Sequence, residues 1–243
     1  MSQTEAPGPA WLVLPTYNEA GNIEAFVEAV RGKLPADARV LIVDDNSPDG
    51  TGEIADRLVA NDQRIAVLHR PLKEGLGPAY IAGFERALAE GAGLILEMDS
   101  DFSHDPAYLP RLLEAGKKAD LVIGSRYVPG GGVGNWSLPR RFISRGGSAY
   151  ARLVLGVRVQ DLTGGFKCFR REVLEAIDLH SIRSRGYAFQ VEMTYRTIQR
   201  GFKVVEVPIV FKERRAGESK MDRSIVAEAA WRVPLLRFGD RQR

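Results

Sequence analysis

The stretch Leu94-Ile95-Leu96-Glu97-Met98-Asp99-Ser100-Asp101 joins a short apolar run to two aspartates that are two positions apart. Short apolar runs that end in polar turn residues are typical of strands buried on both faces of a sheet. Residues that alternate along a strand point to the same side. We therefore expect Asp99 and Asp101 to face one point at the carboxyl end of a buried strand.

Similar apolar runs recur on both sides of this stretch, and segments with helical spacing separate them. The runs cover residues 11–14, 40–43, 65–68 and 121–124. The spacing of apolar residues predicts helices over residues 22–33, 51–61, 77–91 and 109–117. Continuous apolar strands that alternate with helices predict an α/β fold, in which a mostly parallel sheet carries helices on both faces. Functional groups in such a sheet lie at the carboxyl ends of its strands.

The last third of the chain has a different pattern. The glycine-rich residues 127–134 predict a mobile loop. The helices predicted here cover residues 141–155, 172–179, 188–200 and 224–233, the last of them ended by Pro234. Residues 204–211 predict a strand that Pro208 bends, which favours an edge position. The segments we expect are a disordered start (1–10), one domain (11–221) and a basic amphipathic tail (222–243).

The composition is that of a soluble globular protein and excludes several classes. Of the 243 residues, 44% are hydrophobic and 27% are charged, which excludes intrinsic disorder. The lone cysteine, Cys168, excludes an internal disulfide and favours a reducing compartment. With 34 basic and 31 acidic side chains, the net charge of +3 is too balanced to indicate nucleic acid as a partner.

The basic residues are clustered around residues 140–152 and again over residues 212–243. Such clusters favour a phosphorylated substrate or an anionic membrane as the partner. No apolar run reaches the roughly 18 to 20 residues that a membrane span needs, and residues 1–10 lack the pattern of a signal peptide. We expect a cytoplasmic protein, with peripheral binding to a membrane as the open alternative.

Polar clusters follow three of the predicted strands. They are Pro15-Thr16-Tyr17-Asn18-Glu19, residues 44–51 and Asp99-Ser100-Asp101. Each alone is compatible with an ordinary turn or helix cap, but clusters at the carboxyl ends of parallel strands meet in one crevice. Two carboxylates that face one point repel each other unless a cation lies between them, and Mg²⁺ shares such ligands with substrate phosphates. The sequence therefore predicts a site for a divalent metal and a phosphate.

Several other catalytic motifs are absent from the sequence. It contains no G-x-x-x-x-G-K-[ST] loop, no G-x-G-x-x-G before a helix, no G-x-S-x-G and no H-E-x-x-H. The missing glycine fingerprint disfavours a nicotinamide-dependent enzyme. The three histidines are scattered, and His104 is close enough to the aspartate pair to be a candidate for contact with a metal or with its ligands.

These motifs, in this order, resemble those of glycosyltransferase family two, whose fold is the Rossmann-like GT-A type. Later motifs are similar to those of the polyprenyl- and dolichyl-phosphate mannose synthases within that family. They are Gly124-Ser125-Arg126-Tyr127, Asn135-Trp136, Asp161-Leu162-Thr163-Gly164-Gly165-Phe166, Val207-Pro208 and residues 214–220. The similarity covers residues 11–220 and is strongest to prokaryotic members without fused membrane spans.

The resemblance implies a role for each matching position. The residues that match the holders of base and ribose are Pro15, Tyr17, Glu19, Val43 and Asp45. The residues that match the D-x-D motif for metal and diphosphate are Asp99, Ser100 and Asp101, with Ser103 where many members have a glutamine ligand. The residues that match contacts of sugar, diphosphate or acceptor phosphate are Arg126, Arg140, Arg214 and Lys220. The implied catalytic residues are Asp101, Arg126 and Arg214.

The reaction implied by the resemblance is transfer of mannose from GDP-mannose to a polyprenyl monophosphate, with inversion and with Mg²⁺ or Mn²⁺. Transfer of glucose or an N-acetylhexosamine, and a nucleotide-binding module without activity, stay open as alternatives. Residues 128–145, which combine glycines, apolar residues and arginines, are expected to receive the lipid phosphate. Residues 214–220 are expected to close over phosphates as a lid. A peripheral position at the cytoplasmic face of a membrane is also implied, with a membrane-anchored partner protein as an open question.

Three polar residues outside the clusters need separate interpretation. Arg126 is either a cation of the crevice or an ordinary surface arginine. Glu192 either orients an arginine of the site or forms a partly buried ion pair. Asp161 is expected to act through the structure of the acceptor side of the site.

Overall fold

The computed structural model describes residues 8–134, 136–184, 186–213 and 223–238. The strands are β1 (Ala10–Thr16), β2 (Arg39–Asp44), β3 (Ile65–His69), β4 (Leu94–Glu97), β5 (Leu121–Ser125), β6 (Gly132–Val133), β7 (Lys167–Arg170), β8 (Val204–Pro208) and β9 (Val210–Phe211). The α-helices are α1 (Ile23–Arg31), α2 (Thr51–Asn61), α3 (Leu76–Ala89), α4 (Leu109–Gly116), α5 (Leu138–Leu155), α6 (Arg171–Ala176), α7 (Gly186–Gln199) and α8 (Arg223–Phe238). Short 3₁₀ turns cover Pro106–Tyr108 and Leu179–Ser181.

The main sheet has seven strands in the order β3-β2-β1-β4-β7-β5-β8. The strands β3, β2, β1 and β4 are parallel, β5 and β8 are parallel to each other, and β7 is antiparallel to both of its neighbours. The expected mostly parallel sheet is thereby confirmed, and β8, which ends in Pro208, lies at its edge as predicted. The strands β6 and β9 form a separate parallel pair.

Strand β7 was not predicted from the sequence, and it shapes the site. Its four residues begin with Lys167 and end with Arg170, so no continuous apolar run marks it. Because β7 is antiparallel to β4, its first residue lies beside the last residue of β4, and Lys167 pairs in register with Glu97. The segment that precedes β7 therefore reaches the same edge of the sheet as Asp99.

The apolar core occupies both faces of the sheet. Val13 of β1 belongs to the cluster that holds Phe84 of α3, whereas Leu12 belongs to the cluster that holds Phe26 of α1. A Cβ atom at Gly83 would lie only 2.3 Å from Val13 Cγ1, so a glycine there lets α3 lie close against β1. With both faces covered, the carboxyl ends of the strands are left for the site.

Several boundaries in the last third differ from the prediction. The expected loop 127–134 contains β6, because the backbone N–H groups of Gly132 and Gly134 donate to carbonyl groups of residues 209 and 211. The expected strand 204–211 is divided into β8 and β9, since Pro208 has no N–H with which to continue a ladder. The expected helix 172–179 ends at Ala176.

The prediction that Pro234 ends the last helix is wrong, because α8 continues to Phe238 with Pro234 inside it. Packing explains the continuation. Val233 is buried in the core, Leu236 packs against it, and the Arg237 guanidinium donates to the Val154 carbonyl oxygen of α5. These contacts compensate for the one backbone N–H that a proline lacks. Residues 1–7 and 239–243, from the expected disordered start and tail, lie outside the described residues.

Candidate functional site

The turn behind β4 holds the aspartate pair that the sequence singled out. Asp101 is buried, with 6% of the residue exposed, and its Oδ1 accepts a hydrogen bond from the Ser103 backbone N–H at 2.9 Å. Phe102 between them has a φ of +63°, a left-handed conformation that is rare for a bulky residue. The Phe102 ring packs edge-on against Phe26 at 4.9 Å, which holds this turn in place. The side chain of Asp99 is more open than that of Asp101.

His104 supports this turn from behind. Its Nδ1 accepts a hydrogen bond from the Asp99 backbone N–H at 3.3 Å, and its ring packs against Phe166 and Phe211. Burial lowers the pKa of His104 to about 4, although the Asp101 carboxylate acts in the opposite direction. The imidazole is therefore neutral at physiological pH and contacts the backbone of a candidate metal ligand.

The donor set of the turn fits a hard divalent cation. Asp99 and Asp101 supply carboxylates, and the buried Ser103 Oγ has no hydrogen-bond partner among the described residues. Within those residues no group of three or more His, Cys, Asp or Glu side chains is placed to hold a metal. Two carboxylates and a hydroxyl leave several positions for waters and phosphate oxygens, an arrangement that suits Mg²⁺; sites of carboxylate and water also suit Mn²⁺.

The clusters behind β1 and β2 lie side by side, as predicted. Pro15 and Val43 are partners in the parallel register, and the Glu19 backbone N–H donates to Thr51 Oγ1 at 2.9 Å. Burial alone would raise the pKa of Asp49, but hydrogen bonds from the Thr51 side chain and from backbone N–H groups outweigh it and lower that pKa. Asp49 therefore forms a turn with Thr51, in agreement with the ordinary-turn interpretation of this cluster, and Gly50 caps α2.

Asp45 is buried, and its carboxylate accepts hydrogen bonds from the backbone N–H groups of Glu74 and Gly75, at 3.2 and 2.9 Å. Arg70 forms an ion pair with the same carboxylate. Nearby, the Lys73 ammonium lies 3.6 Å from the centre of the Tyr17 ring. Asp45 therefore anchors the start of α3. Asp45 and Tyr17 are two of the residues expected to hold the nucleotide.

Arg126 follows β5 and is buried in the wall of the crevice, so the interpretation as a surface arginine is wrong. Its Nε and Nη2 donate to the two carboxylate oxygens of Asp161 at 2.7 and 2.6 Å, and Nη2 also donates to Thr163 Oγ1. Burial alone would lower the pKa of Arg126, but the Asp161 carboxylate outweighs it and raises that pKa. The rings of Tyr127 and Phe211 lie 5.2 and 5.6 Å from the guanidinium carbon.

The loop that carries Asp161 is itself fixed by Glu206 of β8. The two Glu206 oxygens accept hydrogen bonds from the backbone N–H groups of Gln160 and Asp161, at 2.8 and 2.9 Å. Glu206 was not predicted from the sequence as a residue of the site. A carboxylate inside the apolar run of an edge strand was the signal that pointed to it.

The first turn of α5 brings further cations and aromatic groups to the same wall. The Arg140 guanidinium lies 4.2 Å from the centre of the Trp136 ring, which is itself buried. The Tyr127 hydroxyl and Ser144 Oγ are 2.6 Å apart. Arg214 and Lys220, the other cations expected in the site, lie outside the described residues, as does the expected lid 214–220.

A buried charged cluster behind the aspartate turn was also missed. Lys167 Nζ lies 3.2 Å from Glu97 Oε1 and donates to the Gln190 backbone carbonyl at 3.1 Å and to its side-chain oxygen. Burial raises the pKa of Glu97 and lowers the pKa of Lys167. A charge at one end of each of two short strands was the available signal. Glu192 instead pairs with Arg196, which confirms its interpretation as an ion pair.

Comparisons with known proteins agree with the fold. Residues 11–178 match the family model of glycosyl transferase family 2. A protein named undecaprenyl-phosphate mannosyltransferase from Micrococcus luteus is 52% identical over 93% of this chain and 92% of its own length. A polyprenol monophosphomannose synthase from Mycolicibacterium smegmatis is 50% identical over 91% of this chain and 84% of its own.

Solved structures show the same fold at much lower identity. The glucosyl-3-phosphoglycerate synthase of Mycobacterium tuberculosis, in complex with Mn²⁺, UDP and glucosyl-3-phosphoglycerate, matches with a TM-score of 0.68 and 20% identity over 95% of this chain and 80% of its own. The same enzyme was also solved with Mg²⁺ and UDP, with a TM-score of 0.67. The extent of the family match and the two relatives of about half-identical sequence lead to one conclusion: the chain belongs to glycosyl transferase family 2.

Proposed function

We propose that this protein transfers mannose from GDP-mannose to a polyprenyl monophosphate and releases GDP. The observation that carries the proposal is the meeting of two surfaces at one sheet edge. The carboxylates of Asp99 and Asp101 lie on one side, and a wall of guanidinium and aromatic groups around Arg126 and Arg140 lies on the other. The names of the two relatives at 52% and 50% identity support the choice of sugar and acceptor.

Each group of residues has a part in this proposal. The loops behind β1 and β2, with Tyr17 and Asp45, hold the nucleoside. Asp99, Asp101 and Ser103 hold Mg²⁺ or Mn²⁺, which when bound neutralises charge on the diphosphate as it leaves. Arg140, stacked on Trp136, faces the second phosphate-bearing substrate.

The acceptor does not need a catalytic base. A phosphate monoester has a second pKa near 6 and is largely ionised at neutral pH. Direct attack of its oxygen on the anomeric carbon breaks the bond to the diphosphate and inverts that carbon. The protein's task is then to hold both substrates in line and to exclude water, and Arg126, fixed by Asp161, gives the wall a rigid cation for that purpose.

A transfer assay with a panel of radiolabelled sugar nucleotides and polyprenyl phosphates tests the proposal. We expect incorporation from GDP-mannose, with a β-configured product when the product is examined by NMR. Faster incorporation from a glucose or N-acetylhexosamine donor would assign the sugar differently. Binding of nucleotide without any product would identify a module without activity.

We also propose that the protein lies on an anionic membrane through a surface of α5 and α8, hereafter the α5–α8 surface. Its exposed apolar side chains are Leu138, Phe142, Ile143, Leu153, Trp231, Leu235 and Phe238. Exposed arginines at 141 and 145 accompany them on α5, and apolar and basic groups together favour an interfacial helix. In the part of the chain that the structure describes, no helix is long and apolar enough to cross a bilayer.

Flotation with liposomes that contain anionic lipid tests this surface. Phe142 and Leu153 are 76% and 81% exposed, so Phe142→Ser with Leu153→Ser should leave the fold intact and release the protein from the liposomes. Leu72→Ser is the matched control, because Leu72 is 66% exposed elsewhere on the molecule. Equal binding by both variants would contradict this orientation. We further propose that the protein lies at the cytoplasmic face of that membrane and that a membrane-anchored protein is a partner.

A further inference from the structure

Three buried polar side chains form a cluster directly behind the turn of Asp99 and Asp101. Glu97 is the last residue of β4, Lys167 is the first residue of β7, and the two are partners in the antiparallel register. Gln190 of α7 completes the cluster. All three residues are at most 2% exposed, and the proposed reaction gives none of them a direct part.

Stability of the core does not account for this cluster. Removing an ammonium and a carboxylate from water has a large cost, and a well-packed apolar pair at such a place is often equally stable. The neighbours along the two strands, Leu96 and Met98 on one side and Phe166 and Cys168 on the other, are all buried. A charge pair in apolar surroundings therefore indicates a requirement for specific geometry.

The geometry is specific because Lys167 connects separate elements. The Lys167 ammonium donates to the backbone oxygen and to the side-chain oxygen of Gln190. Its Nζ also lies 3.2 Å from Glu97 Oε1 in an ion pair. One side chain thereby fixes the end of β4, the start of β7 and α7 relative to each other.

This cluster adjoins the aspartate pair on two sides. Along β4, only Met98 separates Glu97 from Asp99. Through space, Gly165 lies between the cluster and the site, since a Cβ atom there would be 3.4 Å from Gln190 Nε2 and 3.9 Å from Asp99 Oδ1. A shift of the β4 end would therefore move the backbone of Asp99, and Gln190 and the Asp99 carboxylate lie near the same glycine.

We propose that Lys167 is a positioning residue that sets the direction in which Asp99 and Asp101 leave β4, and thereby the affinity of the pair for a divalent cation. This inference rests on the proposed function in one respect, the metal site at those two aspartates. Groups behind the ligands of a metal site typically change affinity or activity by about 10- to 100-fold when they are replaced.

The test uses the double variant Glu97→Gln with Lys167→Met, which removes both charges and leaves neither one unpaired. Mn²⁺ binding is measured by electron paramagnetic resonance of the free ion at a fixed concentration of GDP, with protein-free GDP as the blank. We expect the half-saturating Mn²⁺ concentration to rise about tenfold and kcat to fall about tenfold. The KM for polyprenyl phosphate should change by less than about tenfold, because Lys167 acts on Asp161 of the acceptor wall as a nearby charge rather than as a hydrogen-bond donor.

The matched control is Glu192→Gln with Arg196→Met, which removes another ion pair of α7. It should keep the Mn²⁺ affinity and kcat of the parent protein. If the Glu97 and Lys167 variant keeps them too and only its melting temperature falls, the cluster is merely structural and the inference is overturned.

A second variant decides the matter if the double variant does not fold. Gln190→Leu keeps both charges and removes one acceptor of Lys167, so it should raise the half-saturating Mn²⁺ concentration by a smaller factor. An unchanged value would overturn the inference.

A parent protein that binds Mn²⁺ with GDP but transfers no mannose would contradict the proposed function alone, since the Mn²⁺ titration still decides the role of Lys167. A parent protein that binds no Mn²⁺ would overturn both.

Discussion

The loops behind β1 and β2 hold their acidic side chains largely with backbone N–H groups, with Arg70 as a further partner of Asp45. The segment behind β5 instead holds a buried guanidinium with a carboxylate. In the first region, Asp45 accepts from the backbone of Glu74 and Gly75, and Asp49 accepts from Thr51 and Ala20. These bonds join neighbouring loops to each other and leave little freedom in the nucleoside side of the crevice.

The second region is built from side chains that contact each other. Arg126 is held by Asp161, whose loop is held by Glu206, and the rings of Tyr127, Trp136 and Phe211 surround the guanidinium. Beyond it α5 turns apolar side chains outward. Under the proposed function, the two regions would serve two different substrates, with a preformed polar cradle on one side and, on the other, an aromatic and cationic wall next to the proposed membrane-binding surface.

The largest effect is expected when Asp101, a proposed metal ligand, is replaced. Asp101→Ala should lower transfer activity about a thousandfold, or about 4 kcal/mol of transition-state stabilisation, because the proposed metal site loses one of its two carboxylates. Steady-state kinetics and circular dichroism check the change and the fold. Addition of EDTA to the parent protein should abolish activity, and Mg²⁺ or Mn²⁺ should restore it.

The control for this change is Asp37→Ala, an exposed aspartate between α1 and β2, which should behave like the parent. Full activity of the parent protein in chelator would contradict the metal site. Full activity of the Asp101 variant would contradict its role as a ligand even if the protein needs a metal.

The next effect tests the acceptor wall alone. Asp161→Leu leaves the buried Arg126 guanidinium without its carboxylate, and breaking such a pair costs about 3–5 kcal/mol of unfolding free energy. The double change with Arg126→Met should recover most of that stability, since no unpaired charge remains, but not the transfer activity. Urea unfolding followed by tryptophan fluorescence measures the unfolding free energy. If the double variant were as unstable as Asp161→Leu alone, the unpaired guanidinium would not be the cause of the lost stability.

The sequence predicted the first region better than the second, for a physical reason. The polar clusters behind β1, β2 and β4 follow clear apolar runs, so their positions at the carboxyl ends of adjacent parallel strands were predicted correctly. The acceptor side depends on β7, a four-residue strand with basic ends, and on pairings across long separations such as Glu206 with Asp161. Local patterns carry no information about such partners. The Glu97–Lys167 cluster was missed for the same reason, because each charge alone resembles a strand-end residue.

A smaller effect distinguishes the packing of α8 against the fold from its proposed contact with the membrane. Val233 of α8 is buried, whereas Leu235 is 44% exposed. Val233→Ala should lower the unfolding free energy by about 2 kcal/mol because it removes buried apolar groups. It should leave liposome binding intact. Leu235→Ala is the paired change and should weaken liposome binding with little loss of stability. The reverse pattern would contradict the docking of α8 against α5 and α7.

The smallest expected effect separates the two regions most directly. Arg140 stacks on Trp136 at the start of α5, apart from the loops that hold the nucleoside. Arg140→Ala should raise the apparent KM for polyprenyl phosphate about tenfold, the value of one charge-assisted contact to a phosphate. Binding of GDP, measured by calorimetry, should stay unchanged, because the cradle around Tyr17 and Asp45 is untouched. Arg158→Ala, an exposed arginine beyond the far end of the same helix, is the control for the loss of a positive charge. If Arg140→Ala instead abolished GDP binding and spared use of the acceptor, the cationic wall would belong to the donor and the division of the crevice would be wrong.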